Sequence, residues 1–201
     1  MNQQQYKLGW QIACWSTLAI AVCGLLSIIS HIFGIFQAVA IGFIGYGFLT
    51  ASNELVKDGN PAAAPMKSAA TTLMIISGLN IIGAVIAATA KYESFSDVTI
   101  VVAFAGLFEI ACGVLVIMYK NKIGEAIRHL NIENGLFGAG ILVYAIGLMV
   151  AGFGMFVLGI SPSLGTLGMF GVLAVVGAIT ALVGEILWII GMFQVTEKAV
   201  K

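Results

Sequence analysis

Residues 135–159 read GLFGAGILVYAIGLMVAGFGMFVLG, without a single charge. After a short gap holding Pro162, residues 166–193 read TLGMFGVLAVVGAITALVGEILWIIGMF, with Glu185 as the one ionisable group. A hydrocarbon layer of about 30 Å is crossed by about 20 apolar helical residues. Each run is therefore long enough to span a bilayer, and together they form a hairpin.

The same pattern recurs toward the amino end over residues 8–30, 32–51, 68–90 and 98–119. The first two are separated by a short turn near His31 and Gly34, because one helix through both would be far too long for a single crossing. The expected fold is all-α: a polytopic integral membrane protein with six transmembrane helices in three hairpins, forming one membrane domain over 1–201.

Composition agrees. Of 201 residues 60% are hydrophobic, 9% are charged, 25 are glycine, and the formal net charge is zero. A soluble domain carries about a quarter charged residues, so this chain lacks the polar surface to coat a water-soluble globule. No basic face exists for nucleic acid, and three cysteines make no disulfide framework.

The basic residues orient the bundle, since cytoplasmic loops hold the positive charge. Lys7, Lys57, Lys67, Lys120, Lys122, Arg128, Lys198 and Lys201 fall on one side of a six-span chain and Lys91 alone on the other. Both termini are thus expected in the cytoplasm, and the protein in the cell membrane as a multi-pass chain. The first span is read as retained, being too long for a leader and followed by no clean small-x-small site.

The pieces outside the spans are too short to bury a core, so no soluble catalytic, sensor or ATPase domain is expected. Asp58-Gly59-Asn60-Pro61 is a turn signal, and Pro65 precedes the third span. Between the fourth and fifth spans, Ile123, Ala126, Ile127 and Leu130 share one helical face while Lys122, Glu125, Arg128 and His129 take the other. This predicts an interfacial amphipathic helix over about 121–131, with Lys122 and Arg128 as candidate contacts for a partner protein.

Small residues recur every seven positions: Gly138, Ala145, Gly152 and Gly159 in the fifth span; Gly177, Gly184 and Gly191 in the sixth; Gly106 and Gly113 in the fourth; Gly9, Ser16, Cys23 and Ser30 in the first. In lipid, helices associate by close backbone approach, and such stripes mark the seams. The fourth and sixth spans echo each other weakly, Ala105 and Phe108-Glu109-Ile110 against Ala181 and Gly184-Glu185-Ile186. The organisation in glycine-rich hairpins loosely resembles small six-helix proteins of the bacterial acid-resistance membrane family, without a diagnostic motif of that family.

Ionisable groups inside a membrane are functional candidates by default. Here they are Glu109 and Glu185, and Asn80 is the strongest uncharged polar residue at similar depth. All three share helical faces with small residues, so they are expected at seams, with Asn80 and Glu109 level and Glu185 one to two turns lower. Gln11 and Gln37 lie nearer the interfaces and are expected to be solvated. No basic residue reaches this depth, so a carboxyl there must be neutralised by a proton, by a bound cation, or serve as a neutral interhelical hydrogen-bond donor.

Other chemistries are not supplied. His31 and His129 fall on opposite sides, both aspartates lie in loops, no lysine sits within a span, and no Gly-x-Ser-x-Gly element occurs. No cofactor and no enzymatic activity are expected. The leading expectation is a small transporter or channel that binds a proton, a cation or a small cationic substrate at Glu109, Asn80 and Glu185. The alternative is an accessory or assembly subunit, or a binding module, working against membrane-protein partners or further copies of itself.

Overall fold

The computed structural model describes residues 1–27, 32–89, 94–133 and 135–201. Among them run six helices and no strand: α1 Gln3–Ser27, α2 Ile32–Lys57, α3 Ala63–Thr89, α4 Phe95–His129, α5 Gly135–Ile160 and α6 Leu164–Ala199. Helices α2 to α6 are long and apolar enough to cross a membrane. Helix α1 is more polar, yet it pairs antiparallel with α2 from Gly9 against Gly47 and Ala51 to Gly24 against Gln37. It therefore covers the same depth. The turn expected near His31, together with Ser30, Lys91 and Glu93, lies outside the described residues.

The helix ends follow local chemistry. Gly59 closes α2 at φ +64°, with Asn60 N–H donating to the Leu55 carbonyl and Gly59 N–H to that of Val56. Only a residue tolerant of the left-handed region completes this motif. Asn131 repeats it after α4 at φ +56°, where Ile132 N–H reaches the Ile127 carbonyl. Helix α3 begins five residues before its uncharged run, with Pro65 in its first turn, where a missing N–H costs nothing. Ser94 with Asp97, and Ser163 with Thr166, form reciprocal capping boxes that start α4 and α6.

One expectation is overturned. Residues 121–129 are not a separate helix lying on the membrane surface but the last turns of α4, which runs unbroken for 35 residues, about 52 Å at 1.5 Å per residue. Nothing between Tyr119 and Leu130 breaks the helix; Gly124 is tolerated. The amphipathic pattern itself holds, for Ile123, Ala126 and Ile127 are buried and Arg128 and His129 exposed. Its apolar face meets the bundle core, not lipid headgroups.

Each helix packs on the next in sequence, and α6 packs back on α1, closing a ring of six. Trp15 stands edge-on to Phe193 at that closure, with centroids 5.8 Å apart. The amino terminus bonds Asp58 at 2.6 Å, and Lys198 lies 3.5 Å from Glu133. Both termini and the α2–α3 and α4–α5 connections thus share one end, and all eight described basic residues sit there.

Glycine sets how closely the ring is drawn. Helix α5 carries two stripes. Ala145, Gly152 and Gly159 face α4, meeting Gly113, Gly106 and Ala103. Gly140, Gly147 and Gly154 face α6, meeting Trp188, Ala181 and Ala174. In return Gly177, Gly184 and Gly191 meet Ala151, Tyr144 and Phe137, and a methyl group at Gly184 would overlap the Tyr144 backbone. The second α5 stripe has the same seven-residue spacing as the first but escaped the sequence reading.

Candidate functional site

A ring of single-turn neighbours leaves a middle that only side chains can fill. Toward the basic end aromatic rings fill it. Trp10 of α1 stands edge-on to Phe48 of α2 at 5.3 Å, Phe48 neighbours Tyr119 of α4 at 6.3 Å, and Trp188 of α6 lies 5.8 Å from both Tyr119 and Tyr144 of α5. Trp10, Phe48 and Tyr119 are wholly buried. This row crosses the ring and forms a floor.

Above that floor lies a cavity of about 180 Å³ to which all six helices contribute. Ile20, Ile41, Leu73, Ile76, Val116 and Leu148 give apolar wall; Tyr144 and Trp188 give aromatic wall. The polar lining is Gln37, Asn80, Glu109 and Cys112. Asn80 Nδ2 donates to the Ile76 carbonyl at 2.8 Å and to Cys112 Sγ at 3.7 Å. Both amide protons are then used, and Oδ1 is what the side chain has left to offer.

Glu109 is positioned by the α4–α5 seam, where its Cβ packs on Gly152. Its carboxyl makes no hydrogen bond or ion pair among the described residues, and no basic side chain lines the cavity. A carboxylate out of water needs a partner. The cavity therefore presents acceptors, an unpartnered acid group and no fixed positive charge, which is an environment for a cation or a proton.

Of the three residues singled out from sequence, the fold brings two together. Asn80 and Glu109 line one cavity as expected. Glu185 does not line it. The glycine seams fix the offset: Glu109 is level with Gly152 and the Glu185 region with Tyr144, eight residues away along α5, or about 12 Å. Glu185 is 8% exposed, and its Oε1 is buried without a hydrogen-bond partner. Tyr144 stands within electrostatic reach of both carboxyls. The echo between the fourth and sixth spans thus does not make equivalent sites, because α4 sits between α3 and α5 while α6 closes the ring onto α1.

Gln37 is a correction: it lines the cavity rather than lying in solvent, since the α1–α2 seam holds its side chain against Gly24. Gln11 is exposed, as expected. Tyr144 and Trp188 were not anticipated; aromatic residues in an apolar run look the same whether they face lipid or a ring interior. The candidate partner contacts are both exposed. Lys122 pairs with Glu125 at 3.6 Å, whereas the Arg128 guanidinium forms no ion pair among the described residues. No group of three histidine, cysteine or acidic side chains that could hold a metal occurs among those residues.

No family model, curated protein or solved structure matches the chain.

Proposed function

We propose that this protein is a small membrane transporter or channel-like protein of the cell membrane, in which a cation or proton occupies the central cavity and neutralises Glu109. The observation that carries this reading is a cavity built by all six helices around an acid group that has no counter-charge. A purely structural glutamic acid would be expected to reach a partner across a seam; this one faces open space. Asn80 supplies a second acceptor, Gln37 a further polar group, and the aromatic row closes the path toward the basic end. Passage then requires movement of Trp188 or its neighbours. Glu185, level with Tyr144 of that row, is the next acid group on the way to the basic face.

The test is flux in reconstituted vesicles under imposed gradients of protons, sodium or small organic cations. Glu109→Gln is expected to abolish flux while elution and helical content stay those of the parent. A parent protein that moves none of these cations overturns the reading.

A second reading, that the protein acts by contact within a larger assembly, is favoured by one observation. Gly168 and Gly171, in the first turns of α6, meet no neighbouring atom, unlike the later glycines of that helix. Bare glycine on a lipid-facing helix fits a further helix. Gentle solubilisation followed by mass measurement tests it; a bare monomer counts against it.

A further inference from the structure

The cavity also limits what the cation can be, an inference that rests on the reading of Glu109 given above. A bare proton requires no volume. A metal ion leaving water needs about six oxygens in place of its hydration shell, and the wall supplies one carboxylate and the amide oxygens of Asn80 and Gln37. Main-chain carbonyls do not make up the difference, because the lining segments are continuous helix.

The volume, about 180 Å³, is slightly more than that of engineered apolar cavities, about 150 Å³, that admit benzene. The two rings at the floor, Tyr144 and Trp188, are 5.8 Å apart and tilted by 47°. Aromatic rings and a carboxylate on one cavity wall are the groups that recognise alkylated ammonium ions, which carry one diffuse charge on an apolar body. From these features we infer that the cavity takes a small alkylammonium cation, its charge set against Glu109 and its alkyl groups against Tyr144 and Trp188.

The experiment uses the purified full chain in detergent, with tryptophan fluorescence and thermal unfolding as readouts. Tetramethylammonium and tetraethylammonium are titrated at constant ionic strength against sodium chloride, with 3,3-dimethylbutanol as a neutral probe of similar shape. Saturable response to the ammonium ions is expected, at least tenfold weaker for the neutral alcohol, with none for sodium and none for tetrabutylammonium, which the cavity cannot hold. Glu109→Gln should weaken the ammonium response by at least tenfold, and Tyr144→Leu by roughly tenfold. Tyr144→Phe, which keeps the ring, should stay within about twofold.

Sodium binding that depends on Glu109, with no ammonium response, overturns this inference and leaves the proposed function standing. Equal affinity for the alcohol and the ammonium ions overturns it too, and needs no variant to fold. If neither ammonium nor sodium binding responds to Glu109→Gln, this inference falls, and the reading of Glu109 falls with it when the reconstituted vesicles move no protons either.

Discussion

The two ends of the bundle are built differently. Toward the basic end Trp10, Phe48, Tyr119, Ile127, Phe137 and Met192 are all within 1% of complete burial. Toward the other end burial stops at one level in every helix: after Ile20 in α1, before Ala38 in α2, after Ser77 in α3, before Gly106 in α4, after Gly154 in α5 and before Gly177 in α6. Beyond that level no described residue is buried. Leu164 is 90% exposed there, and Phe104 and Met169 are about two-thirds exposed.

Solvent explains the contrast. The basic end reaches past the uncharged runs, where Tyr6, Leu55, Ile123 and Val195 would meet water unless they met each other. There the hydrophobic effect drives a conventional core. The far end lies in hydrocarbon, where an exposed leucine costs little and association depends on close packing alone. Helices α4, α5 and α6 have the glycines for that. The cavity with Glu109 lies where the two regimes meet.

The sharpest way to break this contrast is to remove one ring from each end. Phe48→Ala is expected to cost about 3–5 kcal/mol, measured by reversible unfolding in mixed micelles. Phe104→Ala, at a lipid-facing site 69% exposed, should cost less than about 1 kcal/mol. Equal losses would show that the far end is as tightly packed as the near one.

Glycine gives a second comparison. Gly184→Val forces α6 away from the Tyr144 backbone and is expected to cost about 3 kcal/mol. Gly171→Val meets open space and should lie within about 0.5 kcal/mol of the parent in the same assay. A large loss at Gly171 would instead reveal a helix seated on that face, which is the second reading above.

At the boundary, stability and function should separate. Glu109 forms no bond that supports the fold, so Glu109→Gln should change unfolding by less than about 0.5 kcal/mol while removing flux. Loss of both together would mean that the carboxyl is structural.

The smallest effect belongs to the basic face. Beyond the apolar part of α2, Glu54 accepts from Lys57 Nζ at 2.5 Å and from Asn2 N–H at 2.8 Å. The Lys57 ammonium first, and then the Asn2 N–H, hold its carboxyl below the ordinary carboxylate range. A lowered value in the fold means stability that is present above the unfolded value of about 4.3 and lost as pH falls through the folded one. The parent should therefore lose melting temperature on acidification below about pH 4.3, and Glu54→Gln should flatten that slope. An unchanged slope would show that this clamp on α1 contributes nothing.

How much was legible from sequence differs along these lines. The six apolar runs foretold all six helices, and charge placed both termini at one end. Capping moved the boundaries outward: Ser94 and Ser163 start α4 and α6 before the uncharged runs begin, and Gly59 and Asn131 end α2 and α4 after they finish. The surface helix at 121–131 failed because an amphipathic face looks the same whether it meets headgroups or other helices. Asn80 and Glu109 were found as a pair, since polar groups stand out in apolar runs. Gln37, Tyr144 and Trp188 were missed as a wall because nothing local says which helix faces which.

Sequence alone determined depth along the bundle: which residues form the apolar runs, which end carries the charge, and that Glu109 and Glu185 lie within those runs without basic neighbours. Hydropathy and charge act along the membrane normal, and that single coordinate can be read from the order of the residues. Only the tertiary structure decided rotation and neighbourhood: the closure of α6 on α1, the two glycine faces of α5, the aromatic floor, and the separation of Glu185 from the cavity that holds Glu109. Those depend on which surfaces pack together among several of equal hydrophobicity, and in lipid that choice is made by shape.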